Sequence, residues 1–229
     1  VRRVRAAGDA AFLIDWPDEP EALANRKARA IHARLARRPP AGVREAVPGA
    51  RSLLLRIDPD RFRLAELLPR IGPWETDFAA LSGARAHEIP IWYGGEAGID
   101  LEELAAEHGL SADGFAGLHS SADYIVAFLG FTPGFPYLTG LPERLACPRL
   151  PVPRLNVPAG SVAIGGPYSG IYPASSPGGW RLIGRTPLCL FDPFSRTPAL
   201  LSPGDRVRFV PIDRAGFSRL AQRAGALRR

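Results

Sequence analysis

The residues best suited to chemistry crowd into one stretch, Gly130 to Trp180, which reads GFTPGFPYLTGLPERLACPRLPVPRLNVPAGSVAIGGPYSGIYPASSPGGW. Pro133-Gly134-Phe135-Pro136 and Pro177-Gly178-Gly179 are turns whose glycines permit positive φ and close approach of backbone to a ligand. Gly160 adds a further place where a backbone N–H can be offered. Arg149 and Arg154, and Arg185 just beyond in a Gly-Arg-Thr-Pro run, carry planar guanidinium forks matched to carboxylate or phosphate. Each can equally pair with a local aspartate or carbonyl, so three arginines near glycine turns suggest an anion pocket without specifying one. His119 titrates near neutral pH and is the candidate for proton transfer, although at a helix end it also suits a capping or packing role. Arg154, Arg185 and His119 are therefore the candidate catalytic residues.

Other chemistries lack their residues. The chain has no phosphate-cradling G-x-x-x-x-G-K-[ST], no G-x-G-x-x-G, no G-x-S-x-G nucleophile elbow and no S-x-x-K. Two cysteines, Cys147 and Cys189, are too few for a disulfide framework, and the four histidines, His32, His87, His108 and His119, show no metal-ligand spacing. No metal site is expected. Of the 29 basic residues only Lys27 is lysine, the formal charge is +6 over 229 residues, and the run Arg26, Lys27, Arg29, Arg34, Arg37, Arg38 reads as the solvated face of an alanine-rich helix. Without interleaved aromatics it does not predict nucleic-acid binding. No apolar run reaches membrane-spanning length and the first residues lack a signal-peptide pattern, so a soluble cytoplasmic protein is expected.

The elements that must position these residues fall into two groups. Residues 1–86 read strand, helix, two strands, helix, strand: Ala11 to Trp16, Pro20 to Arg37, Val43 to Val47, Ser52 to Ile57, Asp60 to Leu68, and a last strand around Ala84 to Ile89. Pro20 and Pro39 bracket the first helix, and Asp58-Pro59-Asp60 supplies a turn and cap for the second. A βαββαβ order predicts a ferredoxin-like sandwich of α+β class. Residues 87–229 change texture. Asp100 and Ser111 precede two short helices, and Tyr124 to Phe131 is an apolar run expected as a buried strand. Ser161 to Ile164, Trp180 to Ile183, Leu188 to Phe191 and Arg206 to Val210 are short strands between turns, a pattern of a closed or sandwich-like β domain. Seven prolines between Thr132 and Pro158 predict that this part is a long rigid loop rather than central sheet.

Several long motifs carry a resemblance. VPGARSLLLRIDP, IPIWYGGEAGIDLEELAAEHGLS, HSSADYIVAFLGFTPGFPYLTGL, PRLPVPRLNVPAGSVAIGG, GIYPASSPGGWRLIGRTPLCLFDP and PALLSPGDRVRF together are similar to the B-type subunits of bacterial 5-oxoprolinase, also called KipI-type or allophanate hydrolase subunit 1 proteins. The resemblance implies a cyclophilin-like β-barrel after the ferredoxin-like domain. It implies a KipA-type partner, which is the C-type subunit of such an assembly, and a third protein. It also implies ATP-dependent opening of 5-oxoproline to glutamate by the assembly, with the sequence not specifying which member holds ATP. Two other roles stay open, the carboxyltransferase half of a urea carboxylase and an inhibitor of a sensor histidine kinase. A chain whose single lysine lies in an arginine-rich helix is not expected to carry biotin. Within the matching motifs Gly134, Phe135, Tyr137, Gly160, Ser161, Tyr172, Ser176, Gly178, Gly179 and Trp180 are the expected substrate-binding residues. Tyr168 and Ser169 join them as a departure, because the family usually has glutamine and threonine there.

Overall fold

The computed structural model describes residues 1–226, with side chains described to residue 223, and divides into two compact units, Val1–Ala84 and the residues from Arg85 onward. In the first unit β1 (Arg3–Ala6), β2 (Ala11–Asp15), β3 (Val43–Pro48) and β4 (Ser52–Ile57) form an antiparallel sheet in the order β1-β2-β4-β3, packed with α1 (Glu21–Arg37) and α2 (Leu64–Thr76). Period-two alternation turns Leu53, Leu55 and Ile57 of β4 inward. Ala24, Ala28, Ile31 and Leu35, three or four apart, make the buried stripe of α1.

This order corrects the expected βαββαβ arrangement. The unit is ββαββα, and the sheet edge beside β2 is filled by β1 rather than by a strand after the second helix. The sequence Arg-Val-Arg-Ala of β1 is too short and charged to show an alternating apolar pattern, so nothing marks it as a strand. The second helix also starts later than expected, at Leu64, and continues through Pro69 and Pro73 to Thr76. Asp58 makes the expected turn, its carbonyl accepting from the N–H groups of Arg61 and Phe62, but the cap position of α2 falls at Arg63.

The second unit opens with β5 (Ala86–Tyr93), the segment expected to close the first sheet. After it come α3 (Leu101–Glu107), α4 (Ala112–Ser121), β6 (Tyr124–Leu129), β7 (Pro136–Thr139), β8 (Arg154–Val157), β9 (Ser161–Gly165), β10 (Tyr168–Ile171), β11 (Ser176–Gly178), β12 (Arg181–Arg185), β13 (Arg206–Pro211) and α5 (Arg214–Ala226). Seven strands close into a barrel in the order β10-β7-β6-β13-β5-β12-β9, while β8 and β11 pair as a separate ribbon. The parallel pairing of β5 with β13 is clasped by the buried Asp205, whose carboxylate accepts from the backbone N–H of Arg85 and of Ser202 and meets His87 Nε2 at 3.0 Å.

The rigid-loop expectation for Thr132 to Pro158 is overturned, since β7, a barrel strand, and β8 both lie within it. Pro136 opens β7, and Pro133, Pro142, Pro148, Pro151, Pro153 and Pro158 all fall between strands. There the missing N–H disrupts no ladder, so proline ends strands here without preventing them. Leu188 to Phe191 is not a strand: Phe191 makes an isolated bridge to Ala199. Among the described residues no helix is long and apolar enough to cross a membrane.

Candidate functional site

The strands β7, β9, β10 and β12 sort the candidate residues by the direction in which they point. Ile164, Ile171, Leu138 and Ile183 fill the barrel core, whereas Phe135, Ala163, Tyr172, Trp180 and Leu182 form a second cluster with Val157 from the ribbon. Tyr137 and Tyr168 pack against that second cluster. Alternation therefore places Ser169 inward and Tyr168 outward, although they are neighbours in sequence.

Inside, His119 on α4 is fully buried. Its Nδ1 lies 2.7 Å from the Tyr93 hydroxyl and its Nε2 lies 3.0 Å from Ser169 Oγ, which in turn is 3.4 Å from the carbonyl of Ala163. One order of donors satisfies every member. Tyr93 O–H donates to Nδ1, Nε2–H donates to Ser169, and Ser169 O–H donates to the carbonyl. The imidazole packs against Phe209 with ring centroids 4.7 Å apart, and Tyr124 donates to the His119 carbonyl at 2.9 Å. Burial drives the His119 pKa down to about 3, so the ring is neutral at physiological pH. An enclosed neutral imidazole with both nitrogens committed does not meet a substrate in this arrangement. The reading of His119 as a proton-transfer residue gives way to one in which it holds Ser169, and with it β10, in place.

Outside, aromatic rings lie directly on backbone. An added Cβ at Gly165 would stand 2.5 Å from the Trp180 ring, and one at Gly170 would stand 2.8 Å from Phe135 and 2.9 Å from Trp180. Gly178 is pressed in the same way by the Tyr172 hydroxyl. These glycines are small because the rings need the space. Phe135 packs edge-on against Tyr137, Tyr172 and Trp180, and Tyr137 stacks on Phe128 at 4.3 Å. Tyr168 sits edge-on to Tyr137 and Phe128 and extends an aromatic wall. Arg149 lies over Trp180 at 5.7 Å, near enough to offset part of the upward push that burial gives the Tyr137 and Tyr172 phenols.

Arg154 is not an open fork. One terminal nitrogen meets Asp100 Oδ1 at 2.6 Å and the other points at the Trp180 carbonyl at 3.4 Å. Asp100 Oδ2 accepts the Leu182 N–H at 2.6 Å, so this buried carboxylate joins the start of α3 to β12 and β8. Sequence reasoning reads Asp100 only as a helix cap, yet its side chain makes no capping bond. Nothing in its spacing to residue 154 or 182 signals those partners.

Arg185 is placed differently. Its Nε donates to the Ala159 carbonyl at 2.8 Å, and the guanidinium lies 6.0 Å from the Phe217 ring of α5. Among the described residues its terminal nitrogens have no acidic partner. Arg185 lines a cavity of about 360 Å³ together with Gly160, Thr186, Cys189 and Phe217. Gly160 has φ +82° and a Cβ there would collide with the Thr186 carbonyl, so only glycine fits this floor. Ser161 beside it is buried, and Cys189 Sγ donates to the Phe191 carbonyl at 3.1 Å. The buried Cys147 thiol is pushed up to about 11, mainly by desolvation, which leaves it an unreactive core residue.

The remaining candidates are scattered. Gly134, with φ +80°, backs onto Phe191, Ser176 belongs to the ribbon, and Gly179 rests near the Leu150 carbonyl. The expected binding residues thus divide among an inner network, an outer aromatic wall and the Arg185 cavity. Among the described residues no cluster of His, Cys, Asp and Glu could hold a metal ion.

The family profile described as "Carboxyltransferase domain, subdomain C and D" matches residues 2–201. The chain belongs to this family. It is 38% identical over 231 residues to the B-type subunit of 5-oxoprolinase from Bacillus subtilis (strain 168), covering 94% of this chain and 95% of that protein. It is 48% identical over 168 residues to the corresponding 5-oxoprolinase protein of Escherichia coli O157:H7, covering 73% of this chain and 77% of that one. A stretch of 68 residues is also 41% identical to part of the urea amidolyase of Saccharomyces cerevisiae. Among solved structures TTHA0988 superposes with a TM-score of 0.78 at 41% identity over 92% of this chain. This chain spans 40% of the length of TTHA0988.

Proposed function

We propose that this chain is one subunit of an ATP-dependent 5-oxoprolinase, inactive alone and completed by a KipA-type partner, the C-type subunit, together with a third protein. The observation that carries the reading is the Arg185 cavity. An arginine anchored through Nε, with no acidic partner among the described residues, lines a space of the size a small carboxylate-bearing ring requires, with Phe217 offering an apolar side. Two relatives named as B-type subunits of 5-oxoprolinase support reading that ring as 5-oxoproline. Opening a lactam needs its carbonyl carbon activated so that the ring nitrogen can leave. Transfer of the γ-phosphoryl group of ATP to the lactam oxygen releases ADP, attack of one water at the activated carbon with protonation of nitrogen and cleavage of C–N gives an acyl phosphate, and a second water releases phosphate and leaves glutamate. In this scheme Arg185 fixes the substrate carboxylate, Gly160 supplies room, and the network of His119 is a positioning device rather than a reactant.

The short urea amidolyase match favours, as a second reading, a carboxyltransferase half acting on an amide such as urea. Biotin on this chain does not fit, because the Nζ of Lys27 is tied to Glu19 at 2.7 Å and the side chain is 15% exposed. Co-expression with the partner proteins and assay of glutamate formation from 5-oxoproline decides between the readings. Turnover by the complex and none by the single chain supports the proposal; carboxylation of urea with a biotinylated partner, 5-oxoproline being left intact, overturns it. Arg185→Lys, which offers a point charge in place of a fork, is expected to lower kcat/KM of the complex by on the order of tenfold.

A further inference from the structure

The first unit contains a cavity that the reading above does not use. It lies where the last turn of α1 meets α2, has a volume of about 600 Å³, and is lined by Arg34, Arg37, Arg38, Arg70 and Trp74, with two prolines of α2 completing its apolar side. That volume is in the range of small-molecule sites. The arginines of α1 are not equally engaged. Arg34 pairs with Asp77, Arg37 points a terminal nitrogen at the Ala80 carbonyl at 3.4 Å, and Arg26, outside the cavity, lies over Phe78 at 3.9 Å. Arg38 and Arg70 are exposed and, among the described residues, their guanidinium groups have no acidic partner. Four arginines thus line one concavity, and among the described residues Asp77 is the one carboxylate paired with any of them.

Arginines at the C-terminal turn of a helix complement its dipole, which offers a simpler reason for Arg34 and Arg37. That reason does not extend to Arg70, which comes from the middle of α2, and roughly half a negative charge at the helix end falls short of the three guanidinium charges left after Asp77. A lone carboxylate would likewise leave most of that charge unneutralised. A ligand with several linked phosphates would not, and the partly buried Trp74 indole beside two proline rings forms a flat apolar wall suited to a planar base.

We infer that this groove is a binding site for a nucleoside polyphosphate, its phosphates held by Arg37, Arg38 and Arg70 and its base laid on Trp74. The inference stands on the groove alone and adds to the proposed ATP-dependent reaction a location for the nucleotide on this chain.

The test is direct binding to the full chain, without partner proteins and without 5-oxoproline, so its outcome is separate from that of the turnover assay. Calorimetry and tryptophan fluorescence with ATP and with inorganic triphosphate are expected to show binding of both, weakening as salt is raised. Arg38→Ala combined with Arg70→Ala, two exposed positions whose replacement leaves the core intact, is expected to weaken both ligands by on the order of tenfold per arginine removed. Trp74→Phe is expected to weaken ATP and leave triphosphate unchanged. Arg61→Ala, an exposed arginine outside the groove, is expected to change neither. Absence of binding at millimolar ligand overturns the inference. So does an Arg61→Ala loss equal to that of the paired variant, which marks nonspecific attraction, and so does identical affinity for ATP and triphosphate with no effect at Trp74.

Discussion

Replacing Asp100 tests whether Arg154 serves the fold or a ligand. The Asp100 side chain is 7% exposed and accepts two charge-assisted or buried bonds, from Arg154 at 2.6 Å and from the Leu182 N–H at 2.6 Å. Asp100→Ala leaves the Leu182 donor buried without a partner, at about 1–3 kcal/mol, and also strips the Arg154 guanidinium of its counter-charge. Because Arg154 keeps 24% of its side chain in solvent, the second loss is discounted to about 1 kcal/mol, giving a total of about 2–4 kcal/mol. Asp100→Asn keeps an acceptor for Leu182 and loses the ion pair, so about 1 kcal/mol is expected. Arg154→Ala falls between them, since it leaves a buried carboxylate with one remaining donor. In a domain of this size each kcal/mol moves Tm by about 2–4 °C, so the alanine variant at 100 is expected to melt roughly 4–16 °C lower by calorimetry or near-ultraviolet dichroism. A double-mutant cycle should show coupling between the two sites. If Arg154→Ala leaves Tm unchanged while abolishing turnover of the assembled complex, the structural assignment fails and Arg154 is a substrate fork after all.

Three further outcomes follow from other parts of the molecule. Gly165→Ala forces a methyl to within 2.5 Å of a packed indole, and about 1–3 kcal/mol of stability should be lost in urea unfolding, with red-shifted tryptophan emission; an unchanged midpoint would mean that Trp180 moves freely. His119 has a folded pKa near 3 against an ordinary value of 6.5, so the neutral ring's contribution is complete above pH 6.5 and is lost as pH falls from there toward 3, at up to about 1.4 kcal/mol per pH unit. His119→Gln, which cannot titrate, should flatten the decline of Tm between pH 6 and 4, and an identical slope in wild type and variant would refute the buried neutral assignment. Limited proteolysis should cut between residues 81 and 86 and release two folded fragments, whereas uniform digestion would argue against independent units.

What the sequence discloses depends on whether a local pattern matches the local physics. The cap Ser111 is legible because its hydroxyl accepts from the Gly114 N–H three residues on, a bond set by spacing alone. The strands β6, β9, β12 and β13 are legible from short apolar or alternating runs bounded by turns. By contrast β10 reads Tyr-Ser-Gly-Ile, with a hydroxyl inward and a glycine outward, because Ser169 answers His119 and Gly170 makes room for two rings. A strand whose two faces are both specialised shows no ordinary alternation. The strand β5 is visible in sequence but was expected in the wrong sheet, since its pattern carries no information about which unit its Ile89 and Ile91 will fill.

The candidate site is less legible than the fold for a related reason. Guanidinium groups look alike in sequence, and their roles are decided by partners far along the chain: Asp100 is 54 residues from Arg154, whereas Ala159 is 26 residues from Arg185. The first contact commits a terminal nitrogen to a carboxylate, and the second commits only Nε of a residue that lines a cavity. Tyr168 and Ser169 make the same point at adjacent positions. Ser169 points into the barrel and is constrained by a hydrogen-bonded network that any replacement must satisfy. Tyr168 points out into the aromatic wall, where a change of residue alters the packing of Tyr137 and Phe128 and leaves the His119 network untouched. A replacement at 168 is therefore felt by the aromatic wall and by what meets it, whereas one at 169 is felt by the barrel interior.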